Sequence, residues 1–236
     1  MTAQASPDIY ELPVLRNLAG DTIRPGGLAL TDQAMALCAL PPGAKVLDVG
    51  CGAGTTVAHL TASHRLAAFG LDLSLSLLQQ GRQREAAPPV MQAAGERLPI
   101  GEGTLDAVLA ECSLSAMADD DRALDEFRRV LKAGGHLAVT DVYTREPKEC
   151  SLPAGTCVSG ARSQAQILEQ MGVHGFQVTH WQDQSAALKE LAVQLIFTYG
   201  SLPEFWRQAG AAGDMRTAAA QARLGYFLLV ARKGNG

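Results

Sequence analysis

The chain alternates between two hydrophobic rhythms. Short runs in which nearly every residue is apolar recur at AKVLDVG (44–50), RLAAFGLDLS (65–74), PVMQA (89–93), TLDAVLAECSLS (104–115) and HLAVTDVY (136–143). Such runs mark strands buried on both faces. Between them the apolar residues take helical spacing, in LTDQAMALCAL (30–40), TTVAHLTASH (55–64), SLSLLQQGRQREAA (74–87) and ADDDRALDEFRRVLKAGG (118–135). Thr31 or Asp32 is placed to cap the first of these helices. The last has acids first, bases last and glycines to end it, matching the helix dipole. Strand and helix in alternation predict a parallel sheet covered by helices on both sides.

The rhythm breaks after residue 141. Residues 142–162 are polar and rich in Pro, Gly and Ser, and they are too long for a routine connection. A helix (164–173), a strand (175–182), a helical stretch from Ser185 and a last strand, LGYFLLVARK (224–233), complete the pattern. With no repeat or linker, residues 1–236 are expected to form a single domain. Residues 1–40 then serve as an N-terminal cap and 142–162 as a substrate-loop insertion.

Composition narrows the function. Hydrophobic residues make up 47% of the 236, enough for a sizeable core, and the net charge is -4. An acidic chain without a run of Lys and Arg lacks the basic footprint of a nucleic-acid binder. No apolar stretch has the roughly 20 residues needed to span a membrane. The N-terminus has neither the charged nor the apolar region of a signal peptide. Five cysteines (38, 51, 112, 150 and 157) form no CxxC pair and read as free thiols in a reducing, cytoplasmic setting. His64, His136, His174 and His180 read as structural residues, no two at metal-ligand spacing, so no metal is expected.

The chemistry concentrates in KVLDVGCGAGTT (45–56). Glycines at 50, 52 and 54 permit a tight turn and close approach of a ligand to the backbone. The helix that follows offers unpaired N–H groups. A dinucleotide fingerprint needs a glycine where Thr55 stands, and Asp48 is a poor neighbour for a pyrophosphate. A ligand with a positive end and no phosphate suits the loop better.

DVGCGAG resembles the [DE]-x-G-x-G-x-G first motif of class I S-adenosylmethionine-dependent methyltransferases. The likeness continues in order through GLDLS, AGERLPIGEGTLDAVLAECSL and EFRRVLKAGGHLAVTDV. It implies a Rossmann-like, doubly wound, seven-stranded and mostly parallel sheet with an antiparallel last strand, in a three-layer α/β/α sandwich. It also implies S-adenosyl-L-methionine as cofactor. By the same resemblance Asp48, Gly50, Gly52 and Gly54 line the methionine part, with Cys51 as filler of that cofactor-binding loop, and Asp72 accepts from both ribose hydroxyls. Leu73 packs on the adenine, Gly95 and Glu96 border its edge, and Glu111 and Cys112 stand between cofactor and acceptor. Ala94 replaces a frequent Asp, leaving the adenine amino group to the backbone of Gly95.

The motifs are most similar to the small-molecule branch that includes quinone-biosynthesis C-methylases and arsenite methylases. A small-molecule acceptor is therefore expected, with Arg24 and Cys157 as substrate-binding candidates. PAGTCVSGA, around Cys157, is locally similar to the arsenite methylases, so metalloid methylation is an alternative. It needs several thiolates, and Cys112 is the second candidate. A non-catalytic cofactor-binding regulatory protein is the rival from another class. Transfer by in-line displacement demands alignment and exclusion of water. An oxygen nucleophile also needs a general base, for which Glu111, Asp141 and Tyr143 are the candidates. Monomer and homodimer both remain open.

Overall fold

A computed structural model describes residues 22, 24–145, 158, 160–208 and 223–234. In chain order the elements are α1 (Gly27–Cys38), β1 (Lys45–Val49), α2 (Thr55–His64), β2 (Ala67–Asp72), α3 (Leu75–Arg82), β3 (Val90–Gln92) and β4 (Leu105–Glu111). There follow α4 (Asp120–Val130), β5 (Leu131–Thr144), β6 (Arg162–Ser163), α5 (Gln164–Val173) and β7 (Phe176–Asp183). The described chain closes with α6 (Ser185–Tyr199), α7 (Leu202–Gln208) and β8 (Leu224–Lys233). The sheet order is β3-β2-β1-β4-β5-β8-β7, with the two-residue β6 paired to β5 off that path. The pairs among β1 to β5 are parallel, while β8 runs antiparallel to both β5 and β7. Seven main strands and an antiparallel last strand are as the sequence predicts; β6 is an addition.

The unbroken apolar runs have their reason in two cores. Along β1, Val46 faces the core formed with α1 and α2, and Leu47 and Val49 face the core formed with α4 and α5. β4 alternates in the same way, Ala107 and Leu109 against one layer, Val108 and Ala110 against the other. A strand with helices on both sides has no polar face to spare. Against the α1–α2 side that rule is broken at Asp48 and Glu111, both buried.

Three helix boundaries differ from the pattern. α1 starts at Gly27, so Thr31 and Asp32 lie inside it rather than at its cap, and both point at other elements. α4 stops at Val130, ahead of the glycines expected to end it, because Leu131 is already extended and pairs with Leu105. Ladder formation begins before the helix pattern in the sequence runs out. The helical stretch after Ser185 is broken by Gly200, whose φ of 79° caps α6.

The expected insertion is also shorter at both ends. β5 continues through Thr144, and Tyr143 and Thr144 pair with Arg162 and Ser163. The two ends of the segment are thus clipped together by β6. Arg162 forms an ion pair with Asp120 at the start of α4, and Gly160 passes against the Ser115 carbonyl, where a Cβ would lie 2.2 Å from the oxygen. Cys150 and Cys157 lie outside the described residues, and nothing of Trp206's side chain is described. Trp181 stacks on Phe227, ring centroids 4.4 Å apart, as part of the core.

Candidate functional site

The glycine loop sits at the carboxyl end of β1, where β2 and β4 leave in opposite directions across the sheet. That divergence opens a crevice at the strand ends. Here it is a cavity of about 640 Å³, within the range of small-molecule and cofactor sites. The loop owes its shape to its glycines. Gly50, Gly52 and Gly54 have φ of 80°, 54° and 75°, a region that costs a side chain energy and glycine none. Space forbids substitution as well: a Cβ on Gly50 would meet Ser113 Cβ at 2.5 Å, and one on Gly54 would meet Pro88 at 2.5 Å. The Gly50 and Cys51 amides donate to the Leu71 carbonyl, tying the turn to β2.

Asp72 ends β2 and organises the loop from the side. Its Oδ2 accepts from the Gly52 amide and its Oδ1 from the Ser74 amide, both at 2.8 Å. Leu73, next to it, is 66% exposed at the cavity lip, an apolar surface of the kind a flat ring covers. Opposite, Gly95 is buried against Met117, and the Glu96 carboxylate accepts from the Ala118 amide at 3.1 Å. The expected cofactor residues Gly50, Cys51, Gly52, Asp72, Leu73, Gly95, Glu96, Glu111 and Cys112 all line this one cavity. Asp48 and Gly54 do not line it themselves but adjoin Val49, Ala53 and Thr55, which do.

Arg24 and Glu111 are brought together in a way the sequence did not indicate. The Glu111 carboxylate lies 2.7 Å from the Arg24 guanidinium. It accepts from the Thr31 hydroxyl at 2.8 Å and from Thr56 at 3.3 Å, and Arg24 donates to Thr31 at 2.6 Å. Helix spacing would not find this cluster, since Arg24 and Thr31 flank the start of α1 while Thr56 and Glu111 come from α2 and β4. Arg24 Nε is buried without a hydrogen-bond partner among the described residues, in the wall of the cavity. Beside this pair, burial pushes the Asp48 carboxyl well above its ordinary range, with Glu111 and Asp72 adding to the rise and Arg24 opposing it.

Asp141 and Tyr143 stand apart from the cavity lining. Asp141 accepts from the Ser115 amide (2.9 Å), the Ser115 hydroxyl (2.7 Å) and the Val142 amide (2.8 Å). It therefore braces the turn after β4, although burial still raises it to about 6 against those bonds. Tyr143 donates to Asp183 at 2.9 Å. Replacing Asp141 by alanine would strand three donors, each worth about 1–3 kcal/mol when buried unpaired. The expected result is a loss of about 2–4 kcal/mol in urea unfolding, partly recovered by Asp141→Asn, which keeps one acceptor oxygen.

Burial raises the Cys51 thiol far above its ordinary value, with Asp48 and Asp72 adding to the rise. Burial also raises Cys38, to about 12. Both are thus poor thiolates. His174 joins α5 to α4 through Asp125 and Asp121, at 2.7 and 3.1 Å, a structural role. His64 is different: with His59, a residue that carries no signal in the sequence pattern, it converges on Asp32.

A family model described as a methyltransferase domain matches residues 47–139. The demethylmenaquinone methyltransferase of Corynebacterium kroppenstedtii is 37% identical over 103 residues, 44% of each chain. Methyltransferase GfsG of Streptomyces halstedii is 30% identical over 131 residues, 53% of this chain and 47% of the relative. The chain spans about half the length of these curated relatives. A solved structure described as the [4+2]-cyclase SpnF is 28% identical, with a TM-score of 0.67, covering 88% of this chain and 81% of its own. Phosphoethanolamine N-methyltransferase 2 of Haemonchus contortus, solved with S-adenosyl-L-methionine, has the same fold at 16% identity. Its TM-score is 0.70, and the match covers 94% of this chain and 56% of that one. The stretch from β1 to β5, which carries the glycine loop and Asp72, is thus similar to methyltransferase domains in sequence, and the fold around it is that of solved methyltransferases.

Proposed function

We propose that this chain transfers a methyl group from S-adenosyl-L-methionine to a small molecule, with the cavity beside the glycine loop as the cofactor site. The observation that carries this reading is the charge around the cavity. Asp72, Glu96 and Glu111 stand in its wall and Asp48 beside them, against the guanidinium groups of Arg24 and Arg84. Four carboxylates and two guanidinium groups leave up to two negative charges. Two unit charges 4 Å apart interact by about 4 kcal/mol at an effective dielectric of 20. A pyrophosphate would be repelled on that scale, and a sulfonium with an ammonium attracted.

The cofactor supplies an electrophilic methyl on a good leaving group. The chain's own residues supply position. Asp72 is oriented by the Gly52 and Ser74 amides toward the ribose hydroxyls, and a carboxylate oxygen can accept more than one hydrogen bond. Leu73 and Met117 offer apolar surface to the adenine, and the Gly95 backbone can meet its edge. Glu111, held by Arg24, Thr31 and Thr56, faces the positive end. Cys112, adjacent in the wall, is nearest in sequence to the acceptor side. A thiolate or carbanion acceptor needs only alignment and dryness. With Asp141 and Tyr143 engaged away from the cavity and Glu111 tied up by Arg24, Thr31 and Thr56, such an acceptor fits better than an alcohol needing a base. The named relatives, a quinone methyltransferase among them, favour a small molecule. Reduced cysteines suit a cytoplasmic enzyme, and the whole chain as one unit suits this reading.

A second reading is favoured by one observation: a relative of this fold at 28% identity is described as a cyclase, so the same cavity can serve another reaction. Calorimetric titration with S-adenosylmethionine, S-adenosylhomocysteine and NADH, followed by labelled-methyl transfer to thiols, arsenite, phenols and quinone precursors, separates the readings. Binding of the first two with transfer to one acceptor is expected. Binding without transfer to any acceptor favours the second reading, and failure to bind S-adenosylmethionine sinks the first.

A further inference from the structure

His59 and His64 lie five residues apart on α2, a spacing that turns two side chains about 140° from each other around a helix. They nonetheless meet, because Asp32 of α1 sits between them. The two Nε2 atoms lie 2.6 and 2.7 Å from the same oxygen, Asp32 Oδ1. The rings stand edge to face with centroids 5.5 Å apart, and the three donor atoms fall within 4.8 Å of one another. Ser63 Oγ is 3.3 Å from His59 Nδ1. With the imidazoles neutral, both must carry the proton on Nε2 and aim it at one carboxylate oxygen. A divalent cation at the centre binds both Nε2 lone pairs and the carboxylate oxygen, each ring carrying its proton on Nδ1 instead, and satisfies all three groups.

We propose that Asp32, His59 and His64 form a site for a divalent transition metal, with Zn²⁺ as its simplest occupant. Two imidazole nitrogens and a carboxylate oxygen are the donor set of three-ligand zinc sites, whose fourth position goes to water. Bond lengths near 2.0–2.2 Å in a tetrahedron put the donor atoms roughly 3.4 Å apart. The carboxylate and the rings therefore separate by several tenths of an ångström on binding. The side chains are 49%, 19% and 27% exposed, which leaves them room to do so and leaves water access to the metal. Ser63 is placed to accept the remaining N–H of His59, the usual second contact of a ligating imidazole.

The site is a staple between α1 and α2. Thr31, beside Asp32, and Thr56, at the start of α2, are the two hydroxyls that hold Glu111 in the cavity wall. A metal that fixes Asp32 to α2 therefore stiffens that wall from outside. The inference does not rest on the chemistry proposed for the cavity.

The test uses the full chain, stripped with a chelator and dialysed. Calorimetry with Zn²⁺ should give one site. Co²⁺, used as a spectroscopic probe, should give the visible absorption of a four-coordinate ion without a thiolate charge-transfer band, which excludes the cysteines as ligands. His59→Ala and His64→Ala should each weaken Zn²⁺ binding at least about 100-fold, and Asp32→Asn at least about 10-fold. At a hundredfold excess over Kd, Zn²⁺ should raise the unfolding midpoint of the unaltered protein by about 5 °C or more, and that of the His59→Ala, His64→Ala double variant by none. Absence of binding, a thiolate band, or binding that survives in the folded double variant overturns the proposal.

Discussion

Replacing Asp72 by alanine is expected to weaken S-adenosylmethionine binding by about 100-fold or more and to leave the sheet standing. The size follows from the bonds removed. Hydrogen bonds to an ionised acceptor contribute about 1.5–3 kcal/mol each. On the proposed function two ribose hydroxyls put about 3–6 kcal/mol on this carboxylate, and every 1.4 kcal/mol is tenfold in affinity. A second loss runs through the loop. Without Asp72 the Gly52 and Ser74 amides lose their acceptor, and the turn that presents the backbone to the ligand loosens. Stability should fall less, by about 1–2 kcal/mol, because Asp72 lies at the strand tip where water can replace it. Asp72→Asn, which keeps the shape and one acceptor oxygen, should fall between the two in affinity. Calorimetric titration of the three proteins decides the matter: an alanine variant that binds within tenfold of the unaltered chain removes Asp72 from the site.

Much of this architecture is visible in one dimension because it depends on neighbours in sequence. Apolar runs such as KVLDV and LDAVLAE name the strands, since both faces are buried. DVGCGAG names the turn, since glycine accepts its backbone angles at no steric cost. What escapes the sequence depends on distant segments meeting. Asp32 looks like a helix cap until the helix is found to start at Gly27, and then it is a partner for two histidines on another helix. Asp141 looks like a base at the carboxyl edge until three donors from the β4 turn and its own neighbour occupy it. Arg24 and Glu111 carry no joint signal at all, 87 residues apart, and yet form the buried ion pair of the cavity wall. The end of α4 escapes the sequence for a related reason. Helical periodicity and glycine punctuation speak for 131–135, and the pairing of Leu131 with Leu105 overrides both.

The Arg24–Glu111 pair also explains why three carboxylates can coexist in so small a space. An unpaired buried charge costs several kcal/mol. Glu111 avoids that through Arg24, Thr31 and Thr56, and Asp72 stands where water and two amides reach it. Asp48 remains as the group under tension, 3% exposed, with both other acids raising its proton affinity. A charge arrangement suited to a cationic ligand is, without that ligand, a destabilising one.

Asp48→Asn should therefore stabilise the unliganded protein and impair it as a binder, with a pH dependence that identifies the cause. The folded state raises the Asp48 carboxyl above its unfolded value near 3.9. Stability is greatest where the group is protonated in both states, and it is lost as the pH climbs from the unfolded toward the folded value. Asparagine has no proton to lose. The difference in unfolding midpoint between variant and unaltered chain should be small near pH 4 and should widen in favour of the variant up to pH 8. A gain of about 1–2 kcal/mol, or about 3–6 °C for a chain of this size, is the expected scale. A cationic ligand works in the opposite direction, favouring the ionised carboxylate, so its binding near neutral pH should release protons. Calorimetry in two buffers of different ionisation enthalpy measures that release. S-Adenosylmethionine should release more than S-adenosylhomocysteine, which lacks the sulfonium, and the asparagine variant should abolish the difference. A midpoint gain that does not vary with pH would instead mean that Asp48 is strained by packing, and its charge would then have no part in choosing the ligand.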